Sequence, residues 1–473
     1  MYTIDFSNPV HVYFVGIGGI SMSGLAQILK SRGFTVSGSD REASAITDEL
    51  SKDGITVHIG QSAQNITPDI DLAVFTAAIH PDNPEYVRIH ELGIPCLNRA
   101  QLLGQLMRGY RSPVAVSGTH GKTTTTSMLS DILLAADTDP TLSIGGILES
   151  IHSNVRVGGE SYFVAEACEY TNSFLEMFPK TAIILNIDAD HLDFFKDLDD
   201  IRRSFRLFAE RVPADGTLII SCDIPDYEQI TEGLPCRVIT FGEGPLAMYT
   251  ADDIDYDASG CPAFTLRVRD DADIPVRGLE DPAAGTRIRL RVPGIHNVWN
   301  AVAASAAADL LGISREDTKR ALENFGGAQR RFEKIGTCRG FTLIDDYAHH
   351  PTEIRASLRA AQATAHREIY CVFQSHTYTR TKALLHEFAK ALTLADHIVL
   401  ADIYAARETD DLGISAQTLA DEIRALGHPC EYFPSFEEIE DYLLKNCQSD
   451  DLVITMGAGN VNKIAYHLVS SDR

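Results

Sequence analysis

Ser117 to Thr126 reads SGTHGKTTTT and directly follows the apolar run PVAV. A glycine turn between a strand and a helix points backbone N–H groups at a phosphate. A Lys-Thr pair behind it adds an ammonium for the β/γ oxygens and a hydroxyl for Mg²⁺. The usual phosphate loop has four residues between its first glycine and Gly-Lys-Thr; here Gly118 leaves only Thr119 and His120, and Val116 stands where that glycine is expected. Strand, loop and helix nevertheless agree with Gly121, Lys122, Thr123 and Thr124 as a nucleoside triphosphate site. His120 is read either as part of that loop or as packing.

Further chemistry-bearing groups fall at the ends of apolar runs. EACEYTNSF places Glu166 and Glu169, and NIDADHLDFF places Asp188, Asp190, His191 and Asp193, where magnesium carboxylates would face a phosphate loop. Any one of these acids alone reads more simply as a solvated loop residue. GIHNVWNAVAA puts His296, Asn297 and Asn300 at a helix start, where an amide either caps the helix or reads an adenine edge. Arg330 and Arg331, then Asp345, Asp346, His349 and His350, then His376 and Arg380, gather cations, acids and imidazoles near the C-terminal end. Such a group can steer an amine nucleophile and clamp an anionic intermediate. His350, before Pro351, reads as helix N-terminal packing.

A second glycine stretch, GIGGISMSG, carries Gly16, Gly18, Gly19, Ile20, Ser21 and Gly24 after the run HVYFV. Asp40 closes the next strand at the distance expected of a ribose-binding acid, so a diphosphate site for an NAD enzyme is one reading. A strict fingerprint needs glycine where Ser21 stands, and a tight turn is the plainer alternative.

The elements that must carry these groups alternate strand and helix in three segments. HVYFVGIGG, FTVSGSD and DLAVFTA give the first, ending near the linker RGYRSP. PVAV, YFVAEA and TAIILNI give the second, with an antiparallel stretch between Phe241 and Pro293 and the boundary GGAQRR. FTLIDDY, REIYCVF, HIVLADI and DLVITMG give the third. The third segment's helices are expected from about Pro351, from about Thr381 and near Ser415. The expectation is three α/β domains: a Rossmann-like one over 1–110, a P-loop ATPase over 111–328 with a mainly parallel sheet plus a small antiparallel one, and a Rossmann-like one over 329–473.

A chain of 473 residues with 44% hydrophobic and 23% charged residues is ordinary multidomain globular protein. Its formal charge of −25 argues against a nucleic-acid partner. The nine cysteines form no Cys-x-x-Cys pair, which points to free thiols in a reducing compartment. No apolar run reaches the ~20 residues of a membrane helix and no signal pattern opens the chain, so a cytoplasmic location is expected.

Taken together, GIGGISMSGLA, SGTHGKTTTT, EACE with NIDADHLD, GIHNVWNAVAA, RRFE, DDYAHHPTEI, HTYTRT and TMGAGN resemble the Mur ligases in residue and order, from residue 11 to about 460. The resemblance implies ATP-dependent joining of L-alanine to the lactyl carboxylate of UDP-N-acetylmuramate through an acyl phosphate, with Mg²⁺, by a monomer or weak homodimer. It implies ATP contacts from Gly118, Thr119, His120, Gly121, Lys122, Thr123, Thr124, His296, Asn297, Asn300 and Arg331. One Mg²⁺ would be held by Thr123 and Glu166, and a second with help from His191. Lys122, Asp346, His349, His376 and Arg380 would face the reacting groups, and Gly16, Gly18, Gly19, Ile20, Ser21 and Asp40 the UDP-sugar.

Ser375 and Thr377 depart from the family's proline and arginine, so Arg380 has more to do. EACEYTNS departs from EADESD, leaving Glu166 ahead of Glu169 as a ligand. IRRSFRLF lacks the lysine that sister ligases carbamylate, in keeping with an alanine-adding member. A ligase that recycles a whole peptide, an NAD oxidoreductase and a non-catalytic nucleotide-binding regulator are the alternatives.

Overall fold

The computed structural model describes residues 2–76, 79–269, 274, 276–278, 285–406, 408–410 and 412–471. Three sheets organise them. The first has β1 (His11–Val15), β2 (Thr35–Asp40), β3 (Thr56–Ile59), β4 (Leu72–Phe75) and β5 (Cys96–Asn98) in the order β3-β2-β1-β4-β5, all parallel. Val12, Phe14 and Val15 of β1 are fully buried, as a strand covered on both faces requires. Ala77, the last residue of the expected strand DLAVFTA, lies outside the described residues.

The second sheet centres on β6 (Ser112–Ser117). Its other strands are β7 (Thr141–Leu148), β8 (Ser153–Arg156), β9 (Tyr162–Glu166), β10 (Thr181–Ile184), β11 (Thr217–Ser221), β12 (Arg237–Phe241), β13 (Tyr249–Tyr256), β14 (Pro262–Val268) and β15 (Thr286–Arg289). The order is β15-β14-β13-β12-β11-β10-β6-β9-β7-β8. Pairing is parallel from β12 to β7, while β13, β14 and β15 run antiparallel to one another, as the stretch from Phe241 suggests. Residues 270–273, 275 and 279–284 of that stretch lie outside the described residues.

The third sheet has β16 (Glu333–Cys338), β17 (Phe341–Asp346), β18 (Ile369–Phe373), β19 (His397–Leu400), β20 (Cys430–Tyr432) and β21 (Leu452–Met456). Its order is β16-β17-β21-β18-β19-β20, parallel except for the β16 edge.

Helix starts follow local chemistry. His350 caps Pro351–Gln362 by accepting from the Thr352 N–H, and proline occupies the first turn, where its missing donor costs nothing. The helix expected from about Thr381 begins at Tyr378 instead, because the Thr377 hydroxyl accepts from the Arg380 N–H; it breaks at Leu384 before Leu385–Leu392. The helix Ile295–Leu310 is rich in buried alanines, which lets it lie close against Lys122–Ala135. A larger residue at Ala304 would cost about 1–3 kcal/mol by overpacking.

Two glycines bring the first domain onto the second. A Cβ at Gly24 would lie 2.1 Å from Val155 Cγ2 of β8, and one at Gly104 would lie 1.8 Å from the Glu176 carbonyl.

Candidate active site

The loops after β6, β9 and β10 and those after β17 and β18 meet at the carboxyl ends of their strands, where open α/β sheets bind ligands. Gly118 (φ 143°) and Gly121 (φ 82°) supply the positive φ values that the turn requires, and added Cβ atoms would lie 2.9 Å from Leu185 Cβ and 2.5 Å from Asn300 Oδ1. Asn186 braces the turn, accepting from His120 N–H through Oδ1 (2.8 Å) and donating to the His120 carbonyl (3.0 Å).

The Lys122 ammonium donates to Gly118 O (2.6 Å), Thr119 O (3.0 Å) and Glu169 Oε2 (3.0 Å). Burial opposes its charge, but Glu169, with Cys168 and Glu166 behind it, outweighs burial and holds the ammonium above its ordinary range. Beside it the Thr123 hydroxyl donates to Glu166 Oε2 (2.9 Å), which also accepts from the Gly145 N–H (3.0 Å), and Arg331 reaches Thr123 Oγ1 (3.2 Å). Thr123 and Glu166 are thus brought together as hard oxygen donors of the kind Mg²⁺ takes. His191 stands apart from that pair, 3.9 Å from both Glu169 Oε1 and Asp190 Oδ2, with Tyr170 stacked on its ring.

The third domain presents its groups across this cleft. Arg380 Nε donates to Asp190 Oδ1 at 2.9 Å, both side chains being nearly buried, and Arg380 Nη1 lies 3.1 Å from His376 Nδ1. Burial works against the Asp190 charge, but Arg380 and the neighbouring histidines pull its pKa far down. His376 and His349 rings stand 6.0 Å apart edge to face, and burial first pushes each imidazole down to about 4. Both are therefore neutral at pH 7. Burial raises Asp346 to about 6, although Ser357 Oγ donates to it at 2.6 Å. Asp345 is buried against Arg330 (2.8 Å), which also ties Gly457 and Gly459, so this acid is structural.

His120 bridges the two sides. Its Nδ1 lies 3.1 Å from Glu353 Oε1 and its Nε2 3.3 Å from Asp188 Oδ2. Burial opposes the imidazolium, but hydrogen bonds to Asp188 and Glu353 outweigh it and raise the pKa to about 9. Glu353 itself is held well below the carboxylate range: burial opposes that, and His349, His120 and Arg331 prevail. His350, as the sequence suggests, packs at its helix start, with Nε2 on the Ala189 carbonyl at 3.2 Å.

A cavity of about 390 Å³ opens beside the loop, lined by Gly121, Thr124, His296, Asn297, Asn300 and Arg331 among others. Asn297 does not cap its helix, which Gly294 does; its amide donates to the Pro293 carbonyl (2.8 Å) and its oxygen accepts from Asn300 (3.1 Å). His296 lines this cavity; its Nδ1 is buried without a partner among the described residues, and burial lowers its ring to about 4, so the imidazole is neutral at pH 7.

In the first domain, Gly16 and Ile17 N–H bond the Ser39 carbonyl (2.9 and 2.8 Å), and Gly18 N–H bonds Asp40 Oδ2 (2.8 Å). Asp40 Oδ1 takes the Arg41 N–H (2.7 Å), so the acid read as a ribose ligand closes its own loop. Ile20 is exposed at the helix start, and Ser21 is half-buried beside it. Glu353, Asn186 and Gly145 are not among the residues singled out from the sequence, while Glu169 and Asp190 are named there only as members of an acidic group. Glu353 lies in the stretch DDYAHHPTEI, Glu169 in EACE, and Asn186 and Asp190 in NIDADHLD, so the signal for these four was the motif and not the single residue.

Residues 11–111 match the Mur ligase family catalytic domain, 116–308 the Mur ligase middle domain and 330–459 the Mur ligase glutamate ligase domain. The chain belongs to the Mur ligase family. It is similar to the UDP-N-acetylmuramate–L-alanine ligase of Lachnospira eligens, 57% identical over 99% of this chain and 100% of that one, and to its namesake from Agathobacter rectalis, 54% identical over the same shares. Among solved structures, the UDP-N-acetylmuramate-alanine ligase of Thermotoga maritima superposes with a TM-score of 0.79 at 30% identity, covering 98% of each chain. A murein peptide ligase from Psychrobacter arcticus reaches 0.70 at 25% identity, again with 98% of each chain covered.

Proposed function

We propose that this enzyme joins L-alanine to the lactyl carboxylate of UDP-N-acetylmuramate, converting ATP to ADP and phosphate in peptidoglycan synthesis. The observation that carries the reading is the meeting of two half-sites in one cleft: Lys122, Thr123 and Glu166 from the second domain, and Arg380, His376 and His349 from the third. We assign the UDP-sugar to the first domain (1–110), ATP to the second (111–328) and the amino acid to the third (329–473).

A carboxylate and a γ-phosphate repel each other by several kcal/mol in a closed site, and fixed cations offset this. Lys122 and Arg331 supply that charge on the phosphate side, and Arg380, oriented by Asp190, on the carboxylate side. Mg²⁺ held by Thr123 and Glu166 would add charge neutralisation at the phosphates. His349 and His376, neutral at pH 7, would hold the alanine amine by hydrogen bonds, since imidazoles pushed down to about 4 are too weak as bases to take its proton themselves. The neutral ring of His296, which lines the cavity beside the loop, suits the adenine.

No described helix is long and apolar enough to cross a membrane. A cytoplasmic location and a monomer or weak homodimer belong to this reading as what the family resemblance implies.

Purified protein should release phosphate only with ATP, Mg²⁺, UDP-N-acetylmuramate and L-alanine together. Equal release without the sugar nucleotide sinks the proposal. Competing L-alanine against the alanyl-glutamyl-diaminopimelate tripeptide in the same assay separates it from a peptide-recycling ligase.

A further inference from the structure

His120 sits inside the phosphate loop, yet each of its polar atoms already has a protein partner. Its N–H is taken by Asn186 Oδ1 and its carbonyl by Asn186 Nδ2, while its two ring nitrogens face Asp188 Oδ2 and Glu353 Oε1. Asp188 belongs to the same domain as the loop, whereas Glu353 lies 233 positions along the chain, in the first turn of the third domain's helix Pro351–Gln362. The other Glu353 oxygen, Oε2, accepts from the His349 N–H at 3.0 Å, and Thr352 Oγ1 donates to Asp188 Oδ2 at 2.7 Å. A continuous path of hydrogen bonds therefore runs from the phosphate loop to the histidine that faces the amine side. Both Glu353 and the His120 side chain are largely shielded from water, at 15% and 14% exposure, so neither bond is exchanged cheaply for solvent.

We propose that His120 is a positioning residue: through Glu353 it clasps the third domain to the phosphate loop and sets the place of His349, so that order in the loop and order at the amine side are one event. This rests on the ligase reading above for its kinetic consequences, but not for its structural one. A phosphate ligand would need a free polar atom on His120, and a packing residue would not need two carboxylates, one of them largely buried, aimed at its two nitrogens. Glutamine at 120 keeps one hydrogen bond and loses the bridge. Glutamine at 353 keeps the shape and loses the charge that the imidazolium pairs with.

The test uses the full chain carrying His120→Gln, Glu353→Gln or both, beside the unaltered protein. ATP affinity is measured by calorimetry, kcat by phosphate release, and amide exchange over residues 347–353 by mass spectrometry. Each single variant should bind ATP within about twofold of the parent and lose about 10- to 100-fold in kcat, the scale of a small misplacement of a catalytic group. Exchange at the His349 amide should speed up at least tenfold in each, and the double variant should be no slower than the worse single one.

The proposal is overturned if ATP affinity in His120→Gln weakens in step with kcat, if the two losses multiply, or if exchange over 347–353 is unchanged. Should His120→Gln fail to fold, Glu353→Gln and its exchange pattern decide the matter. If the unaltered protein shows no alanine-dependent turnover, the functional reading has failed, and the exchange comparison still judges the clasp.

Discussion

Two glycine loops in this molecule share the pattern of strand, glycine turn and helix, and they end up electrostatically opposite. The loop after β1 is closed by its own backbone and one acid: Gly16 and Ile17 bond Ser39 O, Gly19 bonds Gly16 O and Gly18 bonds Asp40. The N–H groups left for an anion are those of the helix's first turn, beginning at Ile20 and Ser21. The loop after β6 instead carries a lysine at its helix start, held in place by two loop carbonyls and Glu169. A glycine pattern thus reports backbone shape, and the side chain at its edge decides what the shape can hold. An acid beside the first loop suits a sugar hydroxyl or a neutral base edge, whereas the lysine in the second suits a triphosphate.

The sharpest way to break this contrast is to remove the cation. Lys122→Ala should lower kcat about 10³-fold, the scale of losing a preorganised charge at a developing anion, as read by phosphate release. A loss below tenfold would mean that the second loop is no more a phosphate site than the first.

Acid should separate the two regions next, because the buried histidines cluster around the second loop and the third domain. His296, His349 and His376 are each pushed down to about 4 by burial. The unfolded chain then binds more protons than the folded one between their folded values and about 6.5, so stability falls as pH drops through that window. Two groups run the other way. His120, raised to about 9, contributes fully below about 6.5 and loses its contribution as pH rises through 9, and Asp346, raised to about 6, gains as pH falls towards its unfolded value. The net loss from pH 7 to pH 5 should be on the order of 3 kcal/mol, read from urea unfolding. His349→Asn should shrink it, and an unchanged midpoint would contradict the buried neutral state.

The metal-side pair gives a comparable effect by a different route. Glu166→Gln should cost about 10²-fold in kcat and raise the Mg²⁺ concentration needed for half-maximal rate, because a neutral amide is a poorer ligand for a hard cation. His191→Asn should disturb the Mg²⁺ dependence less, since His191 lies by Glu169 and Asp190 and not by Thr123.

How far all this could be read in advance follows from what sequence spacing reports. Strand runs such as VYFV and the glycine turns were legible because they are local: periodicity and turn chemistry act over a few residues. Lys122, Thr123 and Glu166 were legible because each closes or follows such a run. Glu353 was not, because a glutamate in a helix's first turn is commonplace and its partner lies 233 positions away. Glu169 was set aside for its divergent neighbours, yet it is the carboxylate on Lys122. Asn297 shows the same limit, since its helix-start position left a cap and an adenine-reading amide both open, while the chain used Gly294 and turned the amide onto Pro293.

The smallest expected effect bears most directly on the comparison. In Asp40→Ala the Gly18 and Arg41 N–H groups lose their acceptor, and a hydrogen bond to a charged group is worth about 1.5 kcal/mol or somewhat more. Part of that returns through water, because Asp40 lies at the edge of the core. The loop after β1 should therefore loosen without unfolding β2, and the KM for UDP-N-acetylmuramate should rise about 5- to 10-fold. The KM for ATP should stay within about twofold, since among the described residues the second loop shares no hydrogen bond with the first, and distant, unconnected sites behave independently. A rise in the ATP KM instead would show that the two loops act as one site, and the opposition between them would then describe two halves of a single anion clamp.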